Sequence, residues 1–516
     1  MSYIHYDIKN GIEYGSLYKS QRVKGIVTTT YCGSLGRVID KEKGIFRARG
    51  KGIYQFTLTD GAREAPDQEL AAAEASERNH CTNYHERLIL DFGETFFLDT
   101  YLKRQDFYSC FPGLVPGEDG TLFTALYHRI ETNKESYCYT EDWWEGDYAS
   151  QLFPDANVGS QSISRFLRKL GAEKIQRVFF ERYLHCLYGE NDSVGILIDS
   201  TGAHNASKME ITQVSNHNGD INLEVRIIYV IDRSNGMPIY FRYISGNIVD
   251  VSTLVTTMTE LKQYKIDLSY AIMDAGYFSE GNIRKLFESK VPFMTRLVPN
   301  RVLYKELAAK HASGLMAAKY AIKYGERLVY IKKVNIELYE QKAYAYIAVD
   351  DDVVRLHHKR AVFHAIEDKL TPEQIDAKLE TLGLFIIISS EDMAVTEVLP
   401  LYYTRQQVEQ VFDITKNYAD LTPLRTEDEA AFRGHLMLTF LATIVMQRLQ
   451  SDILKRRPSK KSLNAEGIWR KLHMHKCKVY TQAIVPQEAT AKANKVYDLF
   501  KIEVPQEIPL AVIERK

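Results

Sequence analysis

Cysteine is scarce: six in 516 residues, at positions 32, 81, 110, 138, 186 and 477, with no C-x-x-C pair. That excludes a disulfide framework or a zinc ribbon and fits a reducing, cytoplasmic setting. Two loose clusters, His80-Cys81 with His85 and His473, His475 with Cys477, lack a second half at structural-zinc spacing and are expected to be ordinary surface. Long apolar runs are missing too. The longest, Leu436 to Met446, is too short to span a bilayer and reads as a buried core helix, so no membrane partner is expected. The opening MSYIHYDIKNGIEYG has neither a basic n-region nor an apolar h-region, so no secretory signal is expected. Low-complexity tracts and internal repeats are absent as well.

Excess charge of either sign is also lacking, with a net charge of −1. The distribution is nevertheless uneven. Before Gly52 the chain is basic, with Lys19, Arg22, Lys24, Arg37, Lys41, Lys43, Arg47, Arg49 and Lys51. From Glu64 to Asp147 it is acidic, and positive charge returns between Arg284 and Lys333 and in Lys455-Arg456-Arg457 with Lys460-Lys461. Such segregation is compatible with local phosphate binding, although solvated faces explain most charge runs.

The length implies two to four domains. Residues 1–60 read as a basic, β-rich N-terminal module with Gly turns, and 61–190 as a mostly helical domain. In the latter, Ile163, Phe166, Leu167 and Leu170 fall on one face of a helix ending at Gly171; core packing explains it better than half of a helix-turn-helix. From Val194 the periodicity changes. Val194 to Asp199 is a buried strand ending in an acid, Glu224–Asp232 and Pro238–Ser245 are the next two strands, and Asp250 caps a helix carrying Leu254, Met258 and Leu261. A strand Leu268–Met273, again ending in an acid, then a helix Ser279–Lys290 and a strand Val291–Leu297 complete a β-β-β-α-β-α-β order. That is the order of an α/β, RNase H-like mixed sheet. Residues 191–299 and 383–450 form this core, 300–382 an insertion domain carrying strands Leu328–Val334 and Ala343–Val349, and 451–516 a basic C-terminal region.

Asp199 and Asp274 are placed at the C-terminal ends of neighbouring strands, where ligands bind in such sheets. Phosphodiester cleavage by two metal ions requires convergent carboxylates of this kind. A third acid lies in the helix that begins near Thr396. There Tyr402, Arg405, Glu409 and Lys416 sit at i, i+3, i+7 and i+14. At about 100° per residue an ideal helix puts them within roughly 60° of arc. An aromatic, a carboxylate and two cations in one line suit a metal ligand flanked by phosphate clamps.

This helix resembles the Y-x2-R-x3-E-x6-K signature of the insertion-sequence-four group of bacterial DDE transposases. Leu424-Arg425-Thr426 and Arg433-Gly434-His435-Leu436 resemble the segment that follows the signature in that group. Upstream, Ile198-Asp199-Ser200-Thr201 is similar to the first catalytic block, Gly246-Asn247 with Asp250, Thr253 and Leu254 to the next, and Asp274-Ala275-Gly276-Tyr277-Phe278 to the block of the second acid. The match runs over about 190–450, with weaker similarity through 85–190.

The resemblance implies a DNA transposase that cleaves transposon ends at terminal inverted repeats and transfers the 3′-hydroxyl into target DNA. It implies Asp199, Asp274 and Glu409 as the catalytic, metal-binding triad, Arg405 and Lys416 on phosphates, and Tyr402 bracing the DNA end. Mg²⁺ in a two-metal site is the implied cofactor, with Mn²⁺ as a substitute. The implied partners are double-stranded end and target DNA and a second copy in a synaptic homodimer. In hairpin-forming members a Trp in the insertion helps flip a base; the three Trp here are 143, 144 and 469, outside it. The alternatives are a catalytically inactive, transposase-derived DNA-binding protein and an RNase H-like nuclease that does not transpose. His204 is close in sequence to the first acid but is not assigned a role, and Asp232 and Asp220 are read as turn residues. The basic N-terminal module, with Tyr14, Tyr18, Tyr31 and Phe46 among its cations, is expected to recognise end DNA.

Overall fold

The computed structural model describes residues 2–9, 12–23, 26–48, 52–64, 88–132, 135–189, 193–205, 209–215, 221–248, 250–418, 428–456 and 464–510. His80, Cys81, His85, Asp220, Leu424-Arg425-Thr426 and Lys460-Lys461 lie outside them. The fold is mixed α/β and separates into two compact units, 1–89 with 477–486 and 505–516, and 90–476 with 487–504.

The first unit is built on a six-stranded antiparallel sheet in simple meander order: β1 (Ser2–Lys9), β2 (Ile12–Val23), β3 (Ile26–Asp40), β4 (Ile45–Ala48), β5 (Gly52–Thr57) and β6 (Gly61–Glu64). Period-two alternation puts Ile4, Tyr6, Leu17, Leu35, Val38, Phe46, Tyr54 and Phe56 into one small apolar cluster. Gly36 is required where β3 meets β4: its φ is 92°, and a Cβ there would collide with the Arg47 carbonyl. A short strand, β7 (Leu88–Asp91), follows.

In the second unit, helices including Gly93–Lys103, Asp119–Glu131, Ser160–Leu170 and Glu173–Tyr188 precede a ten-stranded sheet. Its strands are β8 (Ser193–His204), β9 (Gln213–Ser215), β10 (Asn222–Asp232), β11 (Pro238–Ser245), β12 (Asp267–Met273), β13 (Phe293–Arg296), β14 (Ala321–Tyr324), β15 (Arg327–Leu338), β16 (Gln341–Asp350) and β17 (Leu384–Ser389). The order across the sheet is β11-β10-β8-β12-β13-β17-β16-β15-β14, with β9 paired to β10. Only β12 runs parallel to its neighbours, β8 and β13. The chain 300–382 thus supplies three strands that extend this sheet through β17, whose residues are all buried, as befits a strand covered on both faces.

Two local readings are corrected. The first strand does not end at Asp199 but continues to His204, because Ser200 to His204 keep pairing with β10; polar residues there hid a strand that backbone pairing sustains. Asp250 does not cap the helix Leu254–Gln263; it starts a 3-10 turn, and Thr253 takes the cap position. Asp232 is a turn residue, its carboxylate accepting from the Ser234 amide and hydroxyl, the Asn235 amide and the Tyr188 hydroxyl. Ile163, Phe166, Leu167 and Leu170 are all buried, as core packing requires.

The helix Glu429–Arg456 is long and apolar enough to cross a membrane by length and composition, yet most of it is buried in the core. It crosses Ser160–Leu170 at two glycines. A Cβ on Gly434 would fall on the Leu167 carbonyl, and one on Gly171 on the Ala430 carbonyl and the Gly434 amide. Both obstacles are backbone and neither can rotate away. Gly434→Ala is therefore expected to cost about 1–3 kcal/mol or more, the range of overpacked cores. Gly281→Ala, on a helix where a Cβ meets nothing, should be neutral or stabilising by up to about 1 kcal/mol. Chemical denaturation of the two variants checks both, and equal stabilities would contradict the close crossing.

A buried acidic group lies among the helices. The Thr95 hydroxyl is 2.6 Å from an Asp147 oxygen and 3.0 and 3.1 Å from the two Glu131 oxygens. A hydroxyl donates one proton, so it cannot satisfy both acids in ionised form. Burial raises Glu131 well above the usual carboxylate range and Asp147 to about 7, and each also feels neighbouring acids. Glu94, raised by burial to about 6, contacts His473 at 3.2 Å. His475 bonds the Tyr497 hydroxyl and the Gln487 carbonyl; it and Cys477 are buried, not the surface residues their sequence suggested, because apolar neighbours and these partners enclose them.

Candidate active site

The parallel ladder between β8 and β12 ends at the pair Ile198–Met273. Asp199 and Asp274 are the next residues on each strand, so the two acids emerge level with one another where the ladder stops. Asp199 sits opposite Tyr229 on β10, and Tyr229 packs edge-on against Phe412, ring centroids 5.8 Å apart. This contact, with buried Val408 and Val411, seats the helix Gln406–Asp413 over the face that carries Asp199.

That helix is not part of one continuous rod, as the sequence reading supposed. Val395–Tyr403 ends in a break at Thr404 and Arg405, Gln406–Asp413 follows, and Ile414–Tyr418 is a π-turn. Pro400 lies inside the first segment, where it removes one backbone donor, and the junction after Tyr403 is held by tighter i+3 bonds, Arg405 N–H to the Tyr402 carbonyl and Val408 N–H to the Arg405 carbonyl. The four signature residues therefore do not form one stripe. Tyr402 is buried, with its hydroxyl pushed up to about 12 by that burial. Lys416 lies half-buried in the π-turn.

Arg405 is at the centre. Its guanidinium contacts Asp274 directly, lies 3.7 Å from Asp199 and reaches Glu409 at 3.4 Å. Burial works against its charge, but Asp274, Tyr402, Asp199 and Glu409 together raise its pKa above the ordinary value. Asp274, Tyr402, Arg405 and Glu409 line one cleft of about 270 Å³. Lys416 does not line it. Burial lowers the Lys416 pKa and the Glu224 carboxylate raises it. Glu224 is itself only 3 % exposed, and a Cβ on Gly202 would occupy the space its carboxylate takes. His204 is exposed at the end of β8, opposite Glu224.

The sequence reading missed the polar cleft residues Arg296, Tyr403 and Gln406, and the Glu224 carboxylate acting on Lys416. Arg296 had a signal: it is the last residue of the strand beside β12, the position at which Asp274 also leaves the sheet.

Among the described residues no group of three or more His, Cys, Asp and Glu is disposed to hold a metal ion. The donor set nevertheless fits one. Three carboxylates from separate elements converge on a single cation, and oxygen-only donors suit a hard divalent ion. The guanidinium now holds together the charge that such an ion would neutralise.

Two strand-end acids and a helix acid are thus gathered around one guanidinium on one side of a mixed sheet. Residues 190–445 match the family model described as the transposase DDE domain, which supports a DDE transposase and, with it, polynucleotidyl transfer or endonuclease chemistry of the kind that uses divalent metal ions. No curated protein matches the chain. Among solved structures, the cryo-EM structure of the piggyBac transposase synaptic complex with hairpin DNA aligns at a TM-score of 0.36 and 11 % identity, covering 74 % of this chain and 76 % of that one. That likeness is too distant to build on.

Proposed function

We propose that this protein is a transposase of the insertion-sequence-four type with an RNase H-like core, cleaving transposon ends and joining the freed 3′-hydroxyl to target DNA. The observation that carries the reading is the convergence of Asp199, Asp274 and Glu409 on Arg405. Asp199, Asp274 and Glu409 would hold Mg²⁺, or Mn²⁺ in its place. A bound pair of ions supplies a more acidic water or hydroxyl and stabilisation of the leaving oxygen.

The remaining work belongs to the chain's own residues. Arg405, released from the acids, has the planar fork that fits a phosphate and would hold the scissile diester for in-line attack, with no covalent protein intermediate. Tyr402 backs that guanidinium in the cleft wall. Lys416 would hold a phosphate further along the strand, with Glu224 keeping its ammonium charged against burial. Terminal inverted repeats, target duplex and a second copy of the chain complete the proposed complex, which acts on cytoplasmic, nucleoid DNA.

The Arg405 bridge also favours the reading of an inactive DNA-binding descendant, because a guanidinium fixed among the acids excludes metal. The test is incubation of the protein with duplex bearing the inverted repeats that flank its reading frame, Mg²⁺ and a target plasmid. Nicking at the repeat and covalent joining to the plasmid are expected. Binding without nicking in either Mg²⁺ or Mn²⁺ points to the inactive descendant, and nicking without joining to a non-transposing nuclease.

A further inference from the structure

The sheet of the first unit has a second face that its small core leaves uncovered. Tyr3 is in direct register with Tyr18, and Tyr18 with Tyr31, so three strands present three tyrosines in a row. The first two rings stack at 5.8 Å and the second pair meets edge-on at 5.5 Å. This row is wet: Tyr3 is 41 % and Tyr31 55 % exposed, while the opposite face holds Leu35, Phe46 and Tyr54 in the core. His5 stands edge-on to Tyr18 on the same side.

The polar residues of this face are those a nucleic acid would meet. Alternation along β2 puts Ser20 and Arg22 on the side of Tyr18, and Ser20 bonds Thr29 of β3 at 3.1 Å. In the other direction Tyr14 is opposite Arg37, which is opposite Arg47. Arginines thus flank the aromatic row on both sides, each roughly 13 Å from it along a strand rising ~3.3 Å per residue. Asp7, opposite Tyr14, is an acid on the same face.

We infer that this face is a binding platform for single-stranded DNA, with unstacked bases lying on Tyr3, Tyr18 and Tyr31 and the backbone running between the flanking arginines. Exposed aromatics on a sheet take bases of any sequence, because every base has a π-face, and guanidinium groups supply the counter-charge. A duplex keeps its bases stacked and has no use for the row. The choice of DNA over RNA rests on the transposase reading, in which strand ends are freed by cleavage; the stacking surface does not.

The experiment is fluorescence anisotropy of a labelled oligothymidylate with the full chain in EDTA, so that cleavage plays no part. Tyr18→Ala and Tyr31→Ala should each weaken binding by roughly tenfold or more, the size of one lost base stack. Tyr31→Phe should bind within about twofold of wild type, since the ring is what stacks. Arg22→Gln should reduce the log–log salt slope by about one unit. Cross-strand rings also stabilise a sheet, so each variant is compared at matched folded fraction by thermal melting. Unchanged oligothymidylate affinity in the folded alanine variants, or an equal loss of duplex binding in them, overturns the inference, as does tighter wild-type binding to oligouridylate. Strong oligothymidylate binding by a protein that never nicks its own ends would leave the platform standing and sink only the transposase reading.

Discussion

Asp199→Ala, Asp274→Ala and Glu409→Ala each bring cleavage of end-bearing duplex down to background, while the proteins stay folded and still bind DNA. Asp274 and Glu409 line the cleft and Asp199 faces the same guanidinium, so together they would concentrate divalent charge at one point, and losing several kcal/mol of such stabilisation is about a thousandfold or more in rate. Their effects on the resting protein should differ. Asp274 is in direct contact with the part-buried Arg405 guanidinium, so its removal strips the cation of a close partner and should lower stability measurably. Glu409, with 62 % of its side chain exposed, should cost little. Cleavage time courses beside denaturation curves test both halves. An alanine variant that nicks its ends in Mg²⁺ at the wild-type rate would refute the assignment of that acid.

Stability should fall as pH rises across the neutral range, which is the reverse of ordinary carboxylate behaviour. Asp147 is raised from 3.8 to about 7 by burial, and Glu131 is raised well above its usual range. Below pH 4 both folded and unfolded chains hold these protons. Between there and the folded pKa only the native state does, so each step up in pH favours unfolding. For Asp147 alone the shift corresponds to roughly 4 kcal/mol at its full extent. The melting temperature should therefore drop by several degrees from about pH 5 to about pH 8. Asp147→Asn, which keeps an oxygen for the Thr95 hydroxyl and the Ala149 amide, should flatten the curve. Buried His128 and His475, both lowered by burial, slope the other way, so the decisive comparison is with the variant: an identical pH profile for wild type and Asp147→Asn would exclude a protonated, buried Asp147.

Much of the site was legible because its acids sit beside strongly patterned segments. Ile196–Ile198 and Tyr270–Met273 announce buried strands by short apolar runs, and Asp199 and Asp274 follow directly at their ends. The misreadings have physical causes. Ser200 to His204 carry no apolar alternation, yet the ladder to β10 holds them extended. A stripe at helical spacing assumes an uninterrupted helix, and the junction at Thr404–Arg405 with the π-turn Ile414–Tyr418 breaks that assumption; this is why Lys416 left the line of Tyr402, Arg405 and Glu409. Nor could spacing reveal that Arg405 would turn inward to the acids, since a guanidinium and a carboxylate at i and i+4 look the same whether they face water or a cleft. The tyrosine row needed the register of three strands, in which bulges in β3 shift the pairing. Composition shows Tyr18 and Tyr31 among the cations of this module, but not that they touch.

The sheet order has a consequence for how the protein is made. β13 ends at Arg296, but its outer neighbour β17 starts only at Leu384, and Glu409 comes later still. At ~5–20 residues per second a ribosome takes roughly 4 to 18 seconds to bridge that gap. Throughout it the growing chain carries an open strand edge, the kind that recruits wrong partners, and it has two of its acids without the third. The long segment in between is used in that interval to build β14, β15 and β16 as a ready-made hairpin set, onto which β17 closes from one side as β13 receives it from the other. Completion of the sheet and arrival of Glu409 are thus separated by only about twenty residues of synthesis, roughly 1 to 4 seconds.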